Sequence, residues 1–102
     1  MKDMKVYISG PISGVNNFEN IFSNAEEFLK SKGYAVINPV RFNDVLPKDF
    51  EYEDFMRLGF AMIDIVDAVY MLPGWDMSKG AQAEFHYAKV LGKIILYPWE
   101  EF

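Results

Sequence analysis

The chain has no cysteine, one histidine and two arginines among its 102 residues, and each scarcity removes a class of function. Without thiols there is neither a disulfide framework nor a thiolate metal site, which fits a reducing compartment. His86 alone does not make a protein-only zinc centre, so no metal is expected. Arg41 and Arg57 are too few for a surface that tracks a phosphate polymer. The net charge of -5 and a pI near 4.7 further argue against a nucleic-acid partner. No apolar run approaches membrane-spanning length, and Met1-Lys2-Asp3-Met4-Lys5 leads straight into a strand without a signal peptide. The expectation is a cytoplasmic protein with no membrane partner.

Apolar side chains, by contrast, are plentiful. With 51% hydrophobic and 17% aromatic residues, the chain can build a core, and disorder is not expected. One domain over residues 1–102 is near the lower limit for a sheet covered on both faces. Short apolar runs predict strands at Val6–Ile8, Tyr34–Ile37, Ala68–Leu72 and Lys93–Tyr97. Between them, stripes at helical spacing predict helices. The first starts near Asn17, carries Phe18, Ile21, Phe22, Ala25, Phe28 and Leu29 on its apolar face, and stops at Gly33. The second spans about Tyr52 to Ile63, and the third Ser78 to Leu91. A loop of about a dozen residues after Asn38-Pro39 is long enough to serve as a lid or binding loop.

Strands alternating with helices imply an α/β, flavodoxin-like three-layer sandwich: a four-stranded parallel sheet of order 2-1-3-4 with helices on both faces. In that order the switch point falls between strands one and three, and ligands bind at their carboxyl ends. Two loops rich in Gly and Ser, Ser9–Gly14 and Pro73–Gly80, leave those ends and would converge on one crevice.

Glu84 is the anomaly. Ala81, Glu84, Phe85, Ala88 and Leu91 share one face of the third helix, so a carboxylate sits on the stripe that should face the sheet. Burying a charge without a partner costs several kcal/mol, which suggests that a site needs it. Tyr7, in the first strand, is buried by expectation and could extend its hydroxyl to Glu84. Ser78 reads as the cap of the third helix, whose free N–H groups favour an anionic or strongly polar ligand, and Gly80 leaves room for a ligand near the backbone. Trp75 occupies a loop, where its indole would stack on a base or fill a subunit contact. His86 falls on the opposite face and reads as a surface residue. Asp64 and Asp67 read as turn or cap residues, and the acidic run Asp49, Glu51, Glu53 and Asp54 suits a helix start. The first loop lacks GxGxxG spacing, and Pro11 withholds an N–H, so no dinucleotide fingerprint is present.

Tyr7-Ile8-Ser9-Gly10-Pro11-Ile12-Ser13-Gly14, Gly33-Tyr34-Ala35-Val36-Ile37-Asn38-Pro39 and Leu72-Pro73-Gly74-Trp75, followed by Ser78-Lys79-Gly80-Ala81 and Glu84, form a joint pattern. It resembles a family of small bacterial and phage proteins similar to nucleoside 2-deoxyribosyltransferases and deoxynucleotide N-hydrolases. The resemblance covers nearly the whole chain. It implies a nucleophile at Glu84, oriented by Tyr7, that attacks the anomeric carbon and forms a glycosyl ester later resolved by water or a second base. It implies sugar or phosphate contacts from Ser9, Gly10, Pro11 and Ser13, with Asn38, Gly74, Trp75, Ser78 and Gly80 completing the substrate site. It also implies a homo-oligomer, a nucleoside or nucleotide as ligand, and no cofactor.

Two positions depart from the family pattern. Ser13 stands where phosphate-requiring hydrolases carry an arginine. Gly59 stands where the enzymes carry an aspartate that helps protonate the departing base. Two readings follow: an N-glycosidic-bond enzyme, or a nucleoside- or nucleotide-binding protein with weak or absent catalysis. On the second reading, Gly59→Asp is expected to restore activity. A third reading makes the pocket vestigial and gives Trp75, Trp99 and Phe102 to a protein contact.

Overall fold

The computed structural model describes residues 3–100. Four strands, β1 (Lys5–Ser9), β2 (Ala35–Ile37), β3 (Ala68–Met71) and β4 (Ile94–Leu96), form one sheet in the order β2-β1-β3-β4. All neighbouring pairs are parallel, with Tyr7 opposite Val69 and Ser9 opposite Met71. Three helices connect them: α1 (Phe18–Ser31), α2 (Tyr52–Asp64) and α3 (Lys79–Val90). The expected flavodoxin-like order is therefore the observed one.

Strand alternation divides the core into two layers. Val6, Ile8, Ala68, Tyr70 and Leu72 face α1, where Phe22, Ala25 and Leu29 are buried against them. Tyr7, Val69 and Met71 face the other way, against Ile63, Val66, Ala81 and Ala88 around α2 and α3. Ser9 follows Tyr7 by two residues and is buried too, so β1 sends a phenol and a hydroxyl towards the α2/α3 layer. Such burial requires a polar partner on that side.

The helix ends have local causes. At α3, the Ser78 hydroxyl accepts from the Ala81 N–H at 3.2 Å. At α2, the Glu51 N–H donates to the Asp54 carboxylate at 2.9 Å, which gives part of the acidic run a capping role. Asp67 accepts from the Lys5 N–H at 2.8 Å, and Asp64 accepts from the Tyr87 hydroxyl at 2.5 Å, so both aspartates tie elements together.

Two residues of the expected apolar stripes are less buried than expected. Leu91 ends α3 as its C-cap and Phe28 lies at the edge of α1; both are exposed. The loop after β2 begins with a 3-10 turn, Pro39–Phe42, capped by Asn38. A second 3-10 turn, Trp75–Met77, precedes α3. Trp99 is exposed and stacks on Tyr97, while Phe102 lies outside the described residues. Among the described residues no helix is long and apolar enough to cross a membrane.

Candidate functional site

At the carboxyl ends of β1 and β3 lies a cleft of about 990 Å³. The loop after β1 contributes Ser9, Gly10, Pro11 and Ser13, and the segment before and into α3 contributes Gly74, Ser78 and Gly80. The two Gly/Ser loops thus converge on one crevice, as expected from a switch point. Gly10 is required by packing: a Cβ there would lie 2.7 Å from the Leu72 Cβ, so only glycine lets the two loops approach this closely.

Glu84 stands on the cleft wall with 9% of its surface exposed. Its two oxygens have different partners. The Tyr7 hydroxyl donates to Oε2 at 2.7 Å, and the Ser9 hydroxyl donates to Oε1 at 2.6 Å. Both lengths suit hydroxyl donors to an ionised carboxylate. Burial pushes the Glu84 carboxyl above the ordinary carboxylate value, while the hydrogen bonds from Ser9 and Tyr7 pull in the opposite direction. Burial, reinforced by the neighbouring Glu84 charge, holds the Tyr7 phenol well above its ordinary value. Tyr7 therefore remains a donor at neutral pH.

Gly59 forms the opposite wall of this carboxylate's niche. A Cβ at position 59 would lie 2.3 Å from Glu84 Oε2 and 3.2 Å from the Tyr7 hydroxyl. The glycine faces inward as expected, but the space beside it is filled by Glu84. A side chain at position 59, in Gly59→Asp as in any other substitution, therefore requires the Glu84 carboxylate to shift.

Three of the expected substrate contacts have partners within the chain. Ser9 lines the cleft, and its hydroxyl proton is committed to Glu84. Asn38 is turned away from the cleft: its side-chain amide donates to Glu26 at 3.0 Å, and its carbonyl accepts from the Val40 N–H at 3.1 Å. Trp75, partly buried, stacks on Phe85 with ring centroids 4.4 Å apart and packs beside α3. His86 is exposed, as its face of α3 implied.

Sequence reasoning missed two features. The first is which residues line the cleft from the loop after β2, itself expected as a lid or binding loop, and from α2: Phe42, Asn43 and Leu46 from the loop, Tyr52, Phe55 and Met56 from α2. The second is Glu26, 4% exposed in α1, where Asn38, Arg41 and Lys30 surround its carboxylate. The bond from Arg41 is the main cause that holds its pKa down at about 2. This cluster pins the start of the cleft-lining loop to α1. The signal was present, since Glu26 lies four residues after Phe22 and three before Leu29 on the buried stripe.

Comparison with solved structures finds the same α/β fold in other proteins. A 2-desoxiribosyltransferase from Leishmania mexicana matches with a TM-score of 0.70 and 22% identity, over 92% of this chain and 63% of that one. A CMP N-glycosidase from Clostridium botulinum, BcmB, matches with a TM-score of 0.63 and 21% identity, over 91% of this chain and 66% of that one. At these identities the likeness is one of fold, and the chain spans just under two thirds of either neighbour's length. No curated protein matches the chain. The chain belongs to the family described as Domain of unknown function (DUF4406), whose model matches residues 4–97.

Proposed function

We propose that this chain cleaves or transfers at an N-glycosidic bond of a nucleoside or nucleotide, with the Glu84 carboxylate as nucleophile and Tyr7 and Ser9 as the residues that position it. The observation that carries this reading is the carboxylate itself. It is nine-tenths buried, held at both oxygens by hydroxyl donors and set on the wall of a cleft large enough for a nucleoside. Fixing both oxygens removes rotational freedom from the attacking group before substrate arrives. Partial withdrawal from water also leaves the carboxylate less solvated and closer to a developing cationic sugar. Both named structural neighbours work at the same type of bond, which supports the reading at the level of fold.

In the first step a Glu84 oxygen attacks the anomeric carbon and the C1′–N bond breaks, leaving a glycosyl ester. In the second step water or another base attacks the same carbon, and the ester oxygen returns to Glu84 as a carboxylate. The start of α3 and Ser13 both line the cleft, and their N–H and hydroxyl groups suit sugar hydroxyls or a 5′ substituent. We assign the assembly as a homo-oligomer, to be checked by sedimentation at micromolar concentration, where a monomer alone would refute it.

The test is a panel of nucleosides and nucleotides incubated with the purified chain and analysed by chromatography for free base, beside Glu84→Gln. Release by the parent and none by the variant is expected; release that persists in the variant removes Glu84 as nucleophile. Gly59 favours a second reading, binding without turnover, because no other carboxylate lines the cleft among the described residues. Saturable binding by calorimetry, with no product from any member of the panel, would select it.

A further inference from the structure

The proposed chemistry leaves one question that the cleft itself addresses: which base can depart. When the C1′–N bond of a neutral nucleoside breaks, the electron pair goes to the ring nitrogen, and the base leaves as an anion unless a donor protonates it. Such general acid assistance contributes on the order of 10²–10⁴-fold.

The cleft has little to offer as that donor. Among the described residues that line it, Glu84 is the one carboxylate and no histidine is present. The Tyr7 and Ser9 hydroxyls already donate to Glu84. The α2 wall offers no acid at position 59, where glycine leaves bare backbone beside the Glu84 carboxylate. The remaining titratable lining groups, the Tyr52 phenol and the Lys79 ammonium, are exposed to solvent near the α2 and α3 starts.

What lines the wall instead is a set of flat or polarisable apolar groups: Phe42, Tyr52, Phe55 and Met56. Aromatic faces and a single carboxylate in one cleft, in a chain of net charge -5, with the Lys79 ammonium lying out in solvent at the start of α3, suit a planar cation. Building on the N-glycosidic reading, we infer that the substrates are N-glycosides of a cationic heteroaromatic base, such as a pyridinium or an N-alkylated purinium. For these the electron pair of the breaking C1′–N bond neutralises the ring charge, so the base departs neutral and no proton is needed. The Glu84 oxygen forms the new bond to C1′. Water then attacks C1′, the ester C–O bond breaks, the pair returns to Glu84 and one proton passes to solvent.

The experiment uses the wild-type chain and matched substrate pairs, so it does not depend on any variant folding. Nicotinamide riboside is compared with its neutral dihydro form, and 7-methylguanosine with guanosine, with base release followed by chromatography and corrected for the uncatalysed rate. The cationic member of each pair is expected to show kcat/KM higher by about 100-fold or more, the lower bound of what a missing acid withholds from the neutral one. Glu84→Gln, checked for folding by circular dichroism, should lose release from the cationic member. Neutral members turned over as fast as cationic ones, in a Glu84-dependent manner, would overturn the inference and leave the N-glycosidic reading standing. No release from either member of any pair, or release that ignores Glu84, would overturn both.

Discussion

Gly59→Ala adds one methyl group where α2 meets the Glu84 carboxylate, and two opposed effects decide its outcome. In a helix interior alanine is favoured over glycine by about 1 kcal/mol. A bystander position would therefore become more stable. Here the new Cβ would lie 2.3 Å from Glu84 Oε2, against an ordinary contact of roughly 3.5 Å, an overlap of roughly 1 Å. The helix is held by its backbone bonds and by Ile63 in the core, whereas the carboxylate ends a side chain with free torsions, so the carboxylate moves. It moves away from the Tyr7 hydroxyl, now 2.7 Å distant.

Losing a hydrogen bond to a charged group costs about 1.5–3 kcal/mol. Set against the helix gain, the net destabilisation is about 0.5–2 kcal/mol. Activity should suffer more, because misplacing a reacting group by about 1 Å costs on the order of 10²-fold. Urea unfolding and base-release kinetics on the best substrate of the panel measure the two effects separately. A slightly lower midpoint with kcat/KM reduced by about 100-fold is expected. A variant more stable by about 1 kcal/mol and as active as the parent would show that Glu84 is not confined against α2, and the steric reasoning would fall.

Three further outcomes follow from the same contacts. Ser9→Ala removes the donor to Glu84 Oε1 and should lower stability by about 1.5–3 kcal/mol while reducing kcat more than it raises KM; unchanged kcat would deny Ser9 its positioning role. The folded-state carboxyl of Glu84 titrates above its ordinary value, so its contribution to stability is present below that ordinary value and is lost as pH rises through the raised one. Glu84→Gln should therefore gain stability relative to the parent on going from mildly acidic to neutral pH, read from urea midpoints, and a gain confined to acid would reverse the sign. For Glu26 the sign is opposite, because its pKa is lowered from 4.5 to about 2. Its contribution is present above the ordinary value and lost as pH falls towards the folded one. The deficit of Glu26→Gln should therefore shrink between about pH 6 and about pH 3, and a deficit independent of pH would place the effect in packing.

The fold was legible because its signals are redundant. Continuous apolar runs gave β1 and β3, helical stripes gave α1 to α3, and parallel pairing with right-handed crossovers left few strand orders open. The errors fall where burial depends on distant partners. Leu91 lies at the right spacing for the α3 stripe, yet the helix has ended there and the side chain is exposed. The packing of Trp75 was not legible because its loop carries no period. Its actual partner, Phe85, is set by how a 3-10 turn folds back onto α3. The loop of residues 38–51 gave no pattern from which Phe42 and Leu46 could be assigned to the cleft, since their direction follows from the Glu26 anchor.

The site was half legible for a reason that joins two of its features. Glu84 announced itself as an acid on an apolar stripe, and Tyr7 as a phenol in a buried strand. Ser9 shares the parity of Tyr7, so the same alternation that buries one aims the other. Gly59 could be read from sequence as an inward-facing position that lacks the acid. In three dimensions, the absent side chain and the buried carboxylate occupy one volume, so an acid at 59 and Glu84 in its present position exclude each other. A carboxylate bonded at both oxygens and packed against bare backbone has few ways to move, and a helix wall without an acid has no proton to give from that point. Tight placement of the nucleophile and restriction of the leaving group are then consequences of the same glycine, and a substitution there cannot alter one without the other.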